Sequence, residues 1–426
     1  MRHSSWRRTG ALVATLAAAA VALAGCSGSS SSGGASAAAS QSTDTTGQTL
    51  NYWLWVDNAT DQTWQQLADQ FNAESGHGKV QLQVVPAAQY LDKLQTALSS
   101  GNGPDAARMK DEWIGQFVKA GVLAPLSKRI DSWSGKSGVI SSGWDAGKVP
   151  GSSEIYMMPH QNTALYMYYN KKLFSAAGLS APQTQADVLA DAPKLTGNGH
   201  YAFDVRGGAG GQDQWAAWMY AGGAQFVDSS GKVTLDSPTG EKVNQSYLDL
   251  AKYAPPGSAT ASYAQVQSNF LSGTTAMMIH HVGSLAAVRK QFGQDVGVIP
   301  VPGNDPSKPS TLQTMSGNVI FTSSKKQELA WQWETWLLGD AQMLKMSTSP
   351  QGQLPVTTAV AQNAAFTKDE GYQVALKAAQ TAQSWPQLNG TTNVVNATWS
   401  PTIQQAFAGQ ITSAQMLQKL TADLSK

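Results

Sequence analysis

The stretch LNYWLWVDNATDQTWQQLADQF, residues 50–71, contains the first strand and the first helix of the predicted fold. In its first six residues the side chains alternate, with Trp53 and Trp55 on one face, which is typical of a β-strand. Thr60 or Asp61 is suited to cap a following helix. In that helix, apolar residues recur at helical spacing at Trp64, Leu67, Ala68 and Phe71.

The same order of strand and helix recurs twice before residue 122. Val80–Val85 alternates as a second strand, and the helix after it has apolar residues at Tyr90, Leu91, Leu94 and Leu98. After a turn at residues 102–105, a short strand runs through Met109 and a third helix begins near Trp113. Three successive strand–helix units favour an α/β fold with open sheets, parallel strands and right-handed connections.

The rest of the chain contains further segments of both kinds. Strands are predicted at Ile155–Met158, Ala164–Tyr169, His200–Val205, Ala276–Ile279 and Val296–Val301. Helices are predicted at Gln214–Ala221, Glu241–Tyr253 and Gln265–Ser272. A strand at Val319–Thr322 with the helix Lys326–Leu338 is interpreted as a unit that returns to the first lobe. About 375 residues remain for the fold, too many for one hydrophobic core, so two lobes are expected.

The N-terminus has the pattern of a secretory signal peptide, which we assign to residues 1–25. Arg2, Arg7 and Arg8 precede an unbroken run of Ala, Leu, Val and Thr. A permanent membrane helix is the alternative, but about 14 apolar residues fall short of the roughly 20 that span a bilayer. The run ends in Leu23-Ala24-Gly25-Cys26, which resembles the lipobox of bacterial lipoproteins and implies a lipid on the sulfur of Cys26.

Composition narrows the classes of partner further. Cys26 is the only cysteine, so neither a disulfide nor a cysteine metal cluster is expected. Residues 26–48 are mostly Ser, Gly, Ala, Thr and Gln and are predicted to form a flexible linker. The chain has 29 basic and 28 acidic residues and no basic run after the signal peptide, so nucleic acid is not expected as a partner. We expect an extracytoplasmic protein, lipid-anchored to the cell membrane.

Five groups of motifs occur in order from residue 50 to the C-terminus. They are Gly103-Pro104-Asp105 with Ala120–Leu126, Met158-Pro159, Tyr169–Phe174 with Ala177-Gly178-Leu179, Phe270–Met277, and Gly352–Val356. Together they resemble the extracellular solute-binding proteins of ABC importers, the family that includes maltodextrin-binding proteins. The resemblance implies a two-lobed binding protein of type II, an ABC permease as partner and a sugar or oligosaccharide as ligand. It further implies a monomer that needs no cofactor and catalyses no reaction.

The resemblance also divides the chain into lobes. The first lobe is placed at residues 49–164 and 319–360, and the second at residues 165–318 and 361–426. The crossings between them are placed near Ala164–Tyr168, Met315–Val319 and Val356–Val360. Because ligands bind beyond the carboxyl ends of strands in open α/β sheets, the ligand is expected in the cleft between the lobes.

A sugar has an apolar face and a rim of hydroxyl groups, so aromatic rings and planar polar side chains are expected around it. The first-lobe candidates are Asp57, Asn58, Lys110, Asp111, Glu112, Trp113, His160, Gln161 and Asn162. The candidates in the second lobe and at the crossings are Gln212, Trp215, His280, His281, Asn318, Trp385 and Trp399. Core packing is the alternative for Trp113 and Trp399, a capping turn for Asp57 and Asn58, and a solvated loop for the three residues after Pro159. The run Gly207–Gly211 lacks the spacing of a nucleotide-binding loop and is interpreted as a flexible approach to a helix.

A secreted glycosidase is the main alternative function. It needs only two carboxylates about 5 to 9.5 Å apart, a separation that sequence spacing does not exclude. The adjacent pair Asp111-Glu112 points to different sides at a strand end, and G-x-S-x-G, H-E-x-x-H, Walker A and G-x-G-x-x-G motifs are absent from the sequence. The six histidines are poorly placed to share a metal ion. A receptor for a non-sugar solute and a surface adhesin or sensor co-receptor are further alternatives.

Overall fold

The computed structural model describes residues 43–56, 61–208, 210–349 and 352–426. The predicted signal peptide, Cys26, Asp57 and Asn58 lie outside these residues. The strands of the described residues are β1 (Thr49–Leu54), β2 (Lys79–Val84), β3 (Ala106–Lys110), β4 (Met158–Ala164), β5 (Tyr166–Asn170), β6 (Tyr201–Phe203), β7 (Thr275–His280), β8 (Val296–Ile299) and β9 (Gln313–Ile320).

The helices occupy most of the chain between the strands. Those that follow the first-sheet strands are α1 (Thr63–Ala73), α2 (Ala87–Ser99), α3 (Asp111–Lys119), α4 (Ser127–Ser132) and α5 (Ser141–Ala146). The middle of the chain contributes α6 (Lys171–Ala176), α7 (Gln185–Leu195), α8 (Gly211–Ala221), α9 (Pro238–Leu250), α10 (Tyr263–Leu271) and α11 (Leu285–Phe292). After β9 come α12 (Gln327–Leu337), α13 (Asp340–Ser347), α14 (Thr358–Ala361), α15 (Ala364–Thr367), α16 (Glu370–Ala379), α17 (Thr391–Asn393), α18 (Trp399–Phe407) and α19 (Ser413–Leu424).

The first sheet has the strand order β2-β1-β3-β9-β4. Strand β1 is parallel to β2 and β3, whereas β9 is antiparallel to β3 and β4. Lys110 at the end of β3 lies opposite Ser316, and Ala164 at the end of β4 lies opposite Gln313. The carboxyl ends of β1, β3 and β4 therefore lie at one edge of this sheet.

The second sheet has the strand order β6-β7-β5-β8, with β6 parallel to β7 and with β5 antiparallel to both of its neighbours. Tyr166, the first residue of β5, lies opposite His280, the last residue of β7. Only Leu165 separates β4 from β5. The crossing at Leu165 therefore joins the carboxyl end of β4 to the edge of the second sheet at which β6 and β7 end. The carboxyl edges of the two sheets face each other and enclose a cleft.

Each sheet has hydrophobic cores of its own. The first core includes Tyr52 and Trp333, and the second includes Met167 and Trp218. A smaller cluster around Tyr166 and Tyr168 lies on the opposite face of the second sheet, as the alternation of side chains along β5 requires. The predicted α/β class with open sheets is confirmed.

Two predicted lobe boundaries differ from the observed packing. Strand β9 pairs with the first sheet along Gln313–Ile320, so the predicted boundary between residues 318 and 319 falls inside a continuous strand. The third crossing also lies farther along the chain than the predicted Val356–Val360. Phe366 still belongs to the first core, whereas Ala375 belongs to the cluster around Tyr166 and Tyr168.

The end of the predicted linker is part of the folded body. Thr45 is fully buried, its hydroxyl donates to Oε1 of Gln332 at 2.7 Å, and it accepts from the backbone N–H of Gly78 at 3.0 Å. Two hydrogen bonds and burial fix this residue although its neighbours are small and polar. The folded body therefore begins before residue 49, the start that was predicted from the composition.

Candidate functional site

The first wall of the cleft is the junction between β3 and α3. Asp111 and Glu112 are fully buried there, and the ammonium of Lys110 lies 3.4 Å from Oε1 of Glu112. Burial raises the pKa of Asp111 well above its ordinary value. Burial also raises the pKa of Glu112 to about 7, with the negative charge of Asp213 adding to the effect and Lys110 opposing it. Oε2 of Glu112 has no hydrogen-bond partner among the described residues.

An aromatic cluster supports this wall from behind. The ring of Trp113 lies 5.5 Å from that of Trp55 and 6.1 Å from that of Tyr90, and only 5% of Trp113 is exposed. The guanidinium of Arg108 stacks 4.0 Å from the Trp55 ring, and its Nη2 donates to Oε1 of Gln161 at 2.8 Å. Trp113 and Gln161 are thus packed within the first lobe in this conformation.

The other three candidates near the first sheet lie inside its core. His160 is fully buried 5.1 Å from the ring of Trp64, and burial lowers its pKa well below the ordinary value. Nδ2 of Asn162 donates to Oε1 of Gln313 at 3.2 Å. Asn318 accepts a hydrogen bond from the hydroxyl of Tyr52. A solvated loop after Pro159 was the alternative for two of these residues, but they belong to β4 instead.

The second wall follows the carboxyl ends of β6 and β7. Arg206 comes three residues after β6, and its guanidinium lies 5.5 Å from the ring of Tyr263. His280 is buried against the same tyrosine, with ring centroids 4.0 Å apart, while Nδ1 of His281 accepts from the backbone N–H of Gly283 at 3.0 Å. Burial lowers the pKa of His280 well below its ordinary value, and electrostatic interactions with His281 and Arg206 lower it further. His280 is therefore neutral near pH 7.

Three predicted stacking residues lie behind this wall. Trp215, Trp385 and Trp399 are fully buried in the second core, and the ring of Trp215 lies 6.3 and 6.0 Å from the other two. Nε1 of Trp215 donates to Oδ1 of Asn244 at 2.8 Å, so its polar edge points into the core. Nε1 of Trp385 donates to Oδ1 of Asp213 at 3.0 Å, which fixes that carboxylate at the start of α8.

Two facing walls joined by three crossings are the architecture of a protein that binds a ligand between two lobes, and the comparison with known families agrees. The family model of the bacterial extracellular solute-binding proteins matches residues 55–344. The chain belongs to this family.

Known relatives share both sequence and fold with this solute-binding protein. A binding protein of Brucella abortus is 28% identical over 296 residues, which cover 67% of this chain and 70% of the relative. A maltotriose-binding protein of Pyrococcus abyssi is 25% identical over 305 residues, which cover 70% of this chain and 64% of the relative. The solved structure of a Thermotoga lettingae solute-binding protein, bound with α-D-tagatose, has a TM-score of 0.77 and 24% identity and covers 88% of this chain and 98% of its own. The predicted two-lobed fold is confirmed.

The two lobes of this solute-binding protein touch directly beside the cleft. The hydroxyl of Thr392, in α17, donates to the backbone carbonyl of Glu112 at 3.2 Å. A Cβ added to Gly115 would lie 2.4 Å from the carbonyl oxygen of Gln387, so only glycine allows α3 to approach this closely. Glu112 and Asp213, which belong to opposite lobes, are near enough to raise the pKa of Glu112.

A cavity of about 290 Å³ also spans the two lobes. Its lining includes Ser142 and Asp145 of the first lobe and Tyr220 and Gln225 of the second. Among the described residues that the sequence predicted to bind the ligand, only Trp385 lines this cavity. Among the described residues, no group of three His, Cys, Asp or Glu is placed to hold a metal ion, and no helix is both long and apolar enough to cross a bilayer.

The site contains residues that sequence reasoning did not select. Arg206, Asp213 and Tyr263 contribute to the second wall, but none of them was proposed from the sequence as a ligand contact. A signal was present for Arg206, because it lies just beyond the carboxyl end of β6, and Lys110 lies at the carboxyl end of β3. Gln212 was selected, and it lies at the start of α8 with only 5% of its surface exposed.

Proposed function

We propose that this chain is the sugar-binding component of an ABC importer, which captures a sugar or oligosaccharide in the cleft and delivers it to the permease. The observation that carries the proposal is the pair of facing polar walls, Lys110–Glu112 on one sheet and Arg206–Asp213 with His280 and His281 on the other. Relatives named for binding maltotriose and diacetylchitobiose support the choice of a sugar. The matching family is one of solute-binding proteins, which supports a cleft that binds its ligand without converting it.

The proposed mechanism follows from the contacts that closure creates. A ligand that touches both walls binds the closed form more tightly than the open form, and this difference in affinity shifts the population toward closure. The permease then recognises the closed shape. The proposed ligand contacts are Lys110, Asp111 and Glu112 of the first wall and Gln212, His280 and His281 of the second. Asp57 and Asn58, which follow β1 in the sequence, are included as proposals.

Titration with saccharides tests the ligand. The ectodomain would be mixed with maltotriose, N,N′-diacetylchitobiose, D-tagatose and mannitol while tryptophan fluorescence, thermal unfolding and X-ray scattering are followed. At a ligand concentration 100 times Kd, binding should add about 2.7 kcal/mol to the free energy of unfolding. We expect at least one sugar to raise the melting temperature and reduce the radius of gyration. A response only to amino acids or peptides, or conversion of the sugar to products, would refute this function.

We further propose that the protein is exported by a signal peptide, cleaved before Cys26 and anchored through lipid on that cysteine. A thiol is the group that carries the thioether, and two or three acyl chains hold a protein stably at a membrane. Cys26→Ser is expected to abolish incorporation of labelled fatty acid and to release the protein from the membrane fraction, with the ligand affinity of the ectodomain unchanged. Full membrane retention of the variant would contradict the anchor.

The ectodomain is proposed to act as a monomer alongside its permease. Deletion of the gene should abolish high-affinity uptake of the sugar identified by titration, and an ectodomain anchored through a different lipoprotein signal should restore it. An adhesin or co-receptor would leave uptake intact, so this measurement separates the two roles.

A further inference from the structure

The glycine run of the second lobe is tightly packed rather than a loose approach to α8. A Cβ added to Gly207 would lie 2.2 Å from the carbonyl oxygen of Ala259, and one added to Gly211 would lie 1.8 Å from the carbonyl oxygen of Arg206. One added to Gly210 would lie 2.1 Å from Nη2 of Arg206. At Gly207 and Gly211 the nearest atoms belong to the backbone and the distances are shorter than real Cβ contacts, so the backbone approaches this closely only because these two positions lack side chains. At Gly210 the nearest atom is the end of the Arg206 side chain.

Two of these glycines make room for the same residue, Arg206. Its own backbone has a positive φ of 22°, which side-chain-bearing residues rarely adopt, and Asn198 is the only other non-glycine with a positive φ among the described residues. Strained backbone of this kind is concentrated at ligand clamps, where the surrounding structure enforces it. Gly211 thus leaves room for the strained backbone of Arg206, and Gly210 leaves room for its guanidinium.

The guanidinium of Arg206 lies at the cleft edge of the second sheet. Arg206 follows β6 at the edge that faces the first lobe, and its charge interacts with Asp213 of α8, with Asp204 and with His280. Asp213 interacts in turn with Glu112 of the opposite wall. Arg206 is therefore connected by charge to both lobes.

We propose that Arg206 is a ligand-binding residue of the second lobe and that it selects a neutral sugar, by donating two hydrogen bonds to adjacent hydroxyl oxygens. This inference rests on the proposed function. The planar guanidinium presents paired N–H groups in a fixed fork, which match two neighbouring oxygen atoms better than a single ammonium does. Asp213 interacts electrostatically with Arg206, and its carboxylate is fixed by the hydrogen bond from Nε1 of Trp385 at 3.0 Å.

The charges of the two walls favour a neutral ligand over a sugar acid or sugar phosphate. The charge of Arg206 interacts with Asp204 and Asp213, and Lys110 pairs with Glu112 at 3.4 Å. An anionic ligand that approached the guanidinium would meet these carboxylates as well. Hydroxyl groups, which both donate and accept, satisfy the two kinds of partner at once.

Substitution of Arg206 tests the contact. The wild-type ectodomain, Arg206→Lys and Arg206→Gln would be titrated with D-tagatose, maltotriose and N,N′-diacetylchitobiose, and with galacturonic acid and glucose 6-phosphate as anionic counterparts. For the neutral sugar that binds wild type, we expect Kd to rise about 10- to 100-fold in Arg206→Gln, with a smaller rise in Arg206→Lys, because a hydrogen bond to a charged group is lost. Arg129→Gln serves as the control, since Arg129 pairs with Glu328 inside the first lobe at 2.6 Å.

Substitution of Gly210 tests the positioning without removing the guanidinium. Gly210 has a φ of 80°, so alanine there is strained and also collides with Arg206. Gly231 has a φ of 84° with no atom within 4 Å of an added Cβ, so Gly231→Ala introduces the strain without the collision. We expect Gly210→Ala to weaken binding about tenfold or more and Gly231→Ala to leave Kd unchanged.

The outcomes separate this inference from the function it rests on. If a neutral sugar binds wild type and the Arg206 and Gly210 variants with equal Kd, the role of Arg206 is refuted and the sugar-binding function stands. Tighter binding of galacturonic acid or glucose 6-phosphate than of any neutral sugar would refute the selection of a neutral ligand. Failure of every saccharide to bind wild type would refute the sugar-binding function, and this inference with it.

Discussion

Glu112→Gln should change how the stability of the protein depends on pH. Glu112 is fully buried, its Oε2 has no hydrogen-bond partner among the described residues, and its pKa is raised from 4.5 to about 7, first by burial and then by Asp213. Glutamine has nearly the same shape and carries no charge. The substitution therefore removes the cost of burying a carboxylate and leaves the packing in place.

The sign and size of the effect follow from the two pKa values. In the unfolded chain Glu112 loses its proton near pH 4.5, whereas in the folded protein it keeps the proton up to about pH 7. Between these values the folded state binds more protons, so the free energy of unfolding falls as the pH rises through this window and levels off above it. The pKa of Glu112 rises from 4.5 to about 7, and each unit corresponds to about 1.36 kcal/mol, so the free energy of unfolding falls by about 3 kcal/mol across this window.

Urea unfolding of the ligand-free ectodomain at several values from pH 4.5 to pH 8.5 measures this difference. Glu112→Gln should match wild type at the acid end and be more stable by up to about 3 kcal/mol above pH 7. Glu370→Gln is the control, because Glu370 is exposed in the first turn of α16 and should give a curve parallel to wild type. If the wild-type and Glu112→Gln curves are also parallel, Glu112 is not buried as a protonated acid and the reasoning is wrong.

Two further substitutions probe the contact between the lobes and the second core. Gly115→Ala should force α3 away from the carbonyl of Gln387 and increase the radius of gyration in scattering. Gly138→Ala is the control, because an added Cβ there has no atom within 4 Å and should leave the radius unchanged. Equal radii for Gly115→Ala and wild type would exclude this contact. Trp215→Ala should lower the free energy of unfolding by about 3 to 5 kcal/mol, because it removes a buried ring and its bond to Asn244. A large loss of ligand affinity in Trp215→Ala with unchanged stability would instead show that this ring contacts the ligand.

The parallel part of the first sheet could be predicted because its information is local. Side chains of period two followed by apolar residues at helical spacing define β1, β2 and β3 and their helices within about 70 residues. Strand β9 is different, since it pairs Asn318 with Arg108 of β3, more than 200 positions earlier. No pattern inside β9 indicates its partner, and for this reason the predicted strand began six residues too late, at Val319 rather than Gln313.

The candidate site could be predicted by position better than by residue type. The rule that ligands lie beyond the carboxyl ends of strands selected Lys110 and His280, which the structure places at the cleft edge. The preference for aromatic rings selected Trp215 and Trp399, which the structure buries. Whether a tryptophan on a helix faces a ligand or a core depends on the element packed against it, and here Asn244 of α9 accepts from Trp215.

The electrostatics of the cleft connect capture with closure. In the conformation described here, Glu112 and Asp213 approach from opposite lobes, and their repulsion is one cause of the raised pKa of Glu112. Without ligand, this repulsion opposes closure and grows as Glu112 becomes ionised above about pH 7. Hydroxyl groups of a bound sugar would donate to both carboxylates and replace the repulsion with two favourable contacts. Since only the closed form can make both contacts, the ligand itself supplies the free energy that shuts the receptor.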